Sequence, residues 1–94
     1  MSGDSKSGEA AIGDYTQAIN IYPEYGTAYL KIGNEWDLLE FYELTYDNYD
    51  KAIEINPKYA KAYYFRAWAM RKCNYKTANI ISDYKQAIKL DNGF

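Results

Sequence analysis

Residues 29–57 read YLKIGNEWDLLEFYELTYDNYDKAIEINP, and the spacing inside this stretch decides the fold. Tyr29, Ile32, Gly33 and Trp36 fall at positions i, i+3, i+4 and i+7, and Thr45, Tyr49 and Ala52 at i, i+4 and i+7, which puts each set on one face of a helix. Gly33 and Ala52 are small, so neighbouring helix backbones can approach closely there, and the large aromatics beside them fill the remaining space. Pro57 ends the stretch. Proline disfavours helix in the residue before it and suits the first turn of the next helix, so one helix stops and another starts here.

The stretch has copies on both sides. An offset of 34 carries Ala11, Tyr15, Ala18, Pro23, Tyr25 and Tyr29 onto Thr45, Tyr49, Ala52, Pro57, Tyr59 and Tyr63, and five of the six pairs are identities. A later copy lies at an offset of 35, where Tyr84, Ala87 and Leu90 answer Tyr49, Ala52 and Ile55. One residue is therefore inserted between Tyr63 and Tyr84, and insertions belong in loops. Apolar stripes at helical spacing run from Glu9 to Tyr22, Glu24 to Leu39, Tyr42 to Asn56, Lys58 to Lys72 and Lys76 to Leu90, which predicts five helices.

Tyr29-x2-Ile32-Gly33-x2-Trp36, followed by Thr45-x3-Tyr49, Ala52 and Pro57, resembles the signature of the tetratricopeptide repeat family. The match covers nearly everything after Glu9. It implies an all-α fold, an antiparallel helix-turn-helix tetratricopeptide-like solenoid (an α-α superhelix) of five helices and about two and a half repeats. The expected organisation is a flexible lead-in at residues 1–8, too small and polar to bury anything, then a single repeat domain at 9–94. Within it, 9–25 is a half repeat, and 26–59 and 60–94 are full repeats. In this setting the recurring tyrosines are core groups first, and their abundance follows from the repetition.

Composition narrows the function. Eleven basic and 13 acidic residues leave a net charge of −2, so no long-range positive field draws nucleic acid or anionic lipid. No apolar run approaches the roughly 18 residues of a membrane span. One cysteine and no histidine exclude an intramolecular disulfide and a structural zinc cluster, and fit a reducing, intracellular, cytoplasmic setting. No enzyme is expected. Without histidine a cysteine nucleophile lacks its usual base, there is no phosphate-binding glycine loop, and the pairs Glu40/Glu43 and Asp47/Asp50 read as solvated helix faces. Cys73 reads as a semi-buried turn residue; Arg71, Lys72 and Lys76 nearby offer the competing reading of an activated thiol. No cofactor or metal is expected.

The resemblance implies a protein-protein interaction scaffold whose ligand, a peptide or a partner helix, lies in a concave groove lined by the first helix of each pair. On the earlier such helix the groove residues would be Leu30, Asn34 and Asp37, with Thr27 and Lys31 beside them. On the later one they would be Lys61, Tyr64, Phe65, Trp68, Arg71 and Lys72. Phe65 and Trp68, flanked by three cations, suit a peptide with an apolar residue next to a carboxylate; packing against the preceding helix or a dimer mate is the alternative. Family members that clamp a chaperone's terminal carboxylate carry lysine where Leu30 stands and asparagine or arginine where Phe65 stands, so that ligand is not expected here.

A structural role competes with the scaffold. The array would begin on a second-type helix and stop soon after its fifth, leaving Ile80, Ile81, Ile88 and Leu90 as candidate exposed apolar groups and the open ends as possible homodimer contacts. The middle turn is also weakly specified: no glycine, proline or asparagine stands between Asn34 and Asn48. The middle helices could therefore fuse into one rod and swap between two chains. Asn74 suits the turn of the last pair, because asparagine tolerates a left-handed conformation.

Overall fold

The computed structural model describes residues 2–91, with side chains from Gly8 onward. Among them are five helices and no strand: α1 (Ser2–Ile21), α2 (Gly26–Leu38), α3 (Tyr42–Ile55), α4 (Ala60–Lys72) and α5 (Thr77–Leu90). Each packs on the next, α1 on α2, α2 on α3, α3 on α4 and α4 on α5. Five helices, each packed chiefly on its chain neighbours, make the all-α, tetratricopeptide-like solenoid that the repeat predicts.

Apart from the start of α1, the stripes locate the helix ends to within about two residues, the usual scatter there. Both prolines lie in the turns rather than in a first helical turn. In each turn the same bonds recur: Tyr25 N–H donates to Tyr22 O and Tyr59 N–H to Asn56 O, both at 3.0 Å. The inserted residue is Lys76. Helix α4 and its following turn keep the 34-residue offset, whereas α5 starts one residue late, after Lys76 in extended conformation.

Two features bear on the expected organisation. Helix α1 begins at Ser2, inside the stretch expected to be a flexible lead-in, and Gly8 is buried with the Leu39 side chain 3.5 Å from where a Cβ would stand. Lengthening an existing helix adds a hydrogen bond for each residue fixed and avoids the cost of a new nucleus, so α1 extends backward from its packed part. Met1 and residues 92–94, also part of the expected organisation, lie outside the described residues.

The second concerns the middle turn, for which the sequence allowed either a hairpin or a fused rod. Helices α2 and α3 form a hairpin, not a rod: Leu39, Glu40 and Phe41 reverse the chain, with Glu40 at φ 65°. The last pair turns the same way with Asn74 at φ 60°. Phe41 N–H donates to Trp36 O and Tyr75 N–H to Met70 O, both at 3.0 Å, and the Trp36 and Phe41 rings meet edge to face at 5.5 Å. That packing enforces a turn which Glu40 alone does not favour.

Small residues set the helix spacing. Ala28, Ala52, Ala62, Ala67, Ala69 and Ala87 are all buried, and Leu30, Tyr49, Ala52, Ala62 and Ala69 form one core cluster. At Gly33 the α2 backbone lies against the Tyr49 ring, so an added Cβ would come within 2.6 Å of it. Only glycine admits that approach.

Candidate functional site

Helices α2 and α4 flank α3, and their side chains meet across its N-terminal end. The Lys72 ammonium, on the last turn of α4, stands 3.4 Å from the Asp37 carboxylate on α2. It also lies over two rings, 4.7 Å from the centre of Tyr42 and 5.0 Å from that of Trp68. Arg71 covers Trp68 as well, at 5.3 Å. Each such cation-ring contact contributes about 0.5–1 kcal/mol at an exposed site, enough to orient both partners. Trp68, Arg71 and Lys72 line a shallow cavity of about 190 Å³.

The result is an aromatic plate with cations held over it. Trp68 is 39% exposed, although its size and apolarity would favour burial. Asp37 balances Lys72, and among the described residues Arg71 has no carboxylate partner. Lys61, two turns earlier on the same face of α4, is exposed too. Positive charge next to an accessible indole can hold a carboxylate that neighbours an apolar group.

Several expected groove residues are placed elsewhere. Leu30 is 3% exposed in the core cluster, because its position is sandwiched between α2 and its neighbours. Phe65 is half-buried and stacks on Tyr49 at 5.8 Å, which supports its packing reading. Tyr64 is exposed and touches the rings of Phe65 and Tyr84. Asn34 is half-buried, its Oδ1 accepting a 2.6 Å bond from the Tyr49 hydroxyl. Lys31 is exposed, and Thr27 is half-buried with its hydroxyl 3.4 Å from that of Tyr59. The expected set thus separates into a surface group, Asp37, Trp68, Arg71 and Lys72, and a packed group, Leu30 and Phe65.

Tyr42 completes the surface group and was not anticipated, since it opens a second-type helix. Arg66 was missed as well. It occupies the position of buried Ile32 one repeat earlier, and a charge on an apolar stripe is the signal that could have revealed it. Its Nε and Nη2 donate to Asp83 at 2.7 and 2.8 Å and its Nη1 donates to Asp50 at 2.8 Å, tying α3, α4 and α5 together. Donating these hydrogen bonds to the Asp83 carboxylate holds the guanidinium pKa above its ordinary value. Asp50 is therefore an ion-pair partner and not merely part of a solvated face.

Cys73 is half-buried, and its thiol is pushed up by burial, then by the charges of Glu43 and Asp47. The flanking cations do not activate it. Among the described residues no group of histidine, cysteine or carboxylate side chains is arranged to hold a metal, and no helix is long and apolar enough to cross a membrane. A wider apolar hollow of about 880 Å³, lined by Ile21, Tyr22, Pro23, Glu24 and Tyr25, lies at the α1–α2 turn, apart from this surface group.

No family model and no curated protein matches the chain. A crystal structure of MamA is similar, with a TM-score of 0.84 at 24% identity over 93% of this chain and 50% of that one. A second crystal structure of MamA protein gives 0.79 at 25% identity over 90% and 46%. The chain thus spans about half the length of the solved structures it matches. MamA is a tetratricopeptide-repeat protein, which agrees with the fold assigned above.

Proposed function

We propose that this chain is a protein-interaction scaffold, not an enzyme, that holds a peptide or partner helix in the groove flanked by α2 and α4. Residues 9–94 act as one repeat domain in this reading. The observation that carries it is the exposed Trp68 indole with Arg71 and Lys72 fixed on its face and Asp37 setting the position of Lys72. The best ligand is an acidic peptide whose apolar side chain lies on Trp68 while its carboxylate meets Arg71. Lys61 and Tyr64 extend the groove along α4, and Asn34 contributes its amide from α2. Fluorescence anisotropy with a labelled acidic-aromatic peptide tests this. Trp68→Ala abolishes binding and leaves the helical circular-dichroism signal intact; a loss of helix on that substitution counts against a binding role.

A homodimer is the second reading, favoured by one observation. Glu40 sits at φ 65° in the α2–α3 turn, where a residue with a Cβ loses roughly 1–2 kcal/mol. Opening that turn into a continuous helix removes the strain and lets two chains exchange their halves. Light scattering during size-exclusion chromatography decides: a monomer mass across a wide concentration range eliminates the exchange.

A further inference from the structure

The tip of the α2–α3 hairpin carries apolar groups that its own packing leaves open. Phe41 is 55% and Leu44 40% exposed, and their spacing of three at the start of α3 puts them on one face. Phe41 is held in place. Besides its N–H bond to Trp36 O, its carbonyl accepts from the Thr45 N–H and the Thr45 hydroxyl, both at 3.0 Å, and its ring meets that of Trp36. A group fixed in advance loses little freedom on binding. Glu40 adjoins Phe41, Glu43 adjoins Leu44, and Asp47 lies one turn further along α3. All three are exposed, and none has a cationic partner among the described residues.

Neither the turn nor the repeat requires these side chains. The turn of the last pair has the same backbone bonds and a residue in the same left-handed conformation. Yet the counterparts of Glu40, Glu43, Leu44 and Asp47 there are Asn74, Ala78, Asn79 and Ser82, all uncharged. The α2–α3 pair is also flanked on both sides, by α1 on α2 and by α4 on α3. Each unit of such an array contacts only its neighbours, so repeats stacked further along at either end do not reach this tip. Charge identifies what fits. Three unpaired carboxylates around two apolar groups repel nucleic acid and anionic lipid and attract a cationic segment. A helix with an apolar residue flanked by lysine or arginine one turn away meets both features.

We propose that the α2–α3 tip docks a basic amphipathic helix of a partner protein, whose apolar side chains cover Phe41 and Leu44 while its lysines or arginines meet Glu40, Glu43 and Asp47. The site is separate from the groove around Trp68, which takes an acidic ligand. Fluorescence anisotropy on the full chain provides the test, using a labelled helical peptide of leucine and lysine alone with the leucines along one face. Leu44→Asn with Asp47→Ser gives the tip the residues of the last pair, which the fold already accommodates there, and weakens binding at least about tenfold. Glu43→Gln with Asp47→Asn, which keeps the side-chain shapes, weakens it about threefold or more. A peptide with serine in place of leucine binds at least about tenfold more weakly, whereas Trp68→Ala leaves the affinity of the leucine-lysine peptide unchanged. No binding of that peptide, undiminished binding after Leu44→Asn with Asp47→Ser, equal binding of the serine peptide, or a chain dimer that those substitutions dissolve overturns the proposal.

Discussion

Arg66 grips both carboxylate oxygens of Asp83, through Nε at 2.7 Å and Nη2 at 2.8 Å, closing a two-pronged ion pair between α4 and α5. Asp83 is 6% exposed, so the guanidinium takes the place of solvent around its carboxylate. Arg66→Met leaves the carboxylate buried and unpaired, which costs about 3–5 kcal/mol, whereas Arg66→Met with Asp83→Leu recovers most of the loss. Urea unfolding measures both; equal losses in the single and double variants would show that the pair is not what matters.

Gly33 and Tyr49 make a second exacting contact. A methyl at Gly33 would come within 2.6 Å of a ring that cannot swing away, because its hydroxyl is bonded to Asn34. Gly33→Ala is expected to destabilise by about 1–3 kcal/mol despite its better helix propensity. A melting temperature that rises on this substitution contradicts the close approach.

The helices were legible because their stripes and prolines repeat at a fixed interval. The α2–α3 turn was not, since Glu40 takes a left-handed conformation that its own chemistry opposes and that the Trp36–Phe41 packing imposes. In the site, Trp68, Arg71, Lys72 and Asp37 could be read from helix register. Leu30 and Phe65 could not be separated from them, because register gives the face of a helix but not how deeply its neighbours cover it. Arg66 went unnoticed for a related reason: its two carboxylates come from different helices.

Glu40→Gly relieves the strained turn. The expected gain is about 1 kcal/mol, or roughly 4–8 °C in melting temperature for a domain of this size. Any helix-swapped dimer should become rarer in the same variant. Thermal melts and light scattering check the two effects, and an unchanged melting temperature would mean that the turn holds no strain.

Stability should also fall at alkaline pH. Burial, reinforced by the Asp37 charge, raises the Tyr49 phenol above its ordinary value of 10.0. The folded chain therefore holds this proton more tightly than the unfolded chain. The resulting stability is complete below the unfolded value and is lost as pH rises through the higher folded value. Melts between about pH 8 and about pH 11 should slope downward above pH 10, less steeply in Tyr49→Phe. Identical slopes in the two proteins count against the assignment.

The groove around Trp68 is tested most directly by selecting a random peptide library on the whole chain and measuring the enriched peptides against Trp68→Ala and Leu44→Asn. The expected peptides share an apolar residue beside a carboxylate, lose at least about tenfold in affinity with Trp68→Ala, and bind Leu44→Asn as they bind the parent chain. Enriched peptides that bind Trp68→Ala undiminished would contradict the groove as the binding surface.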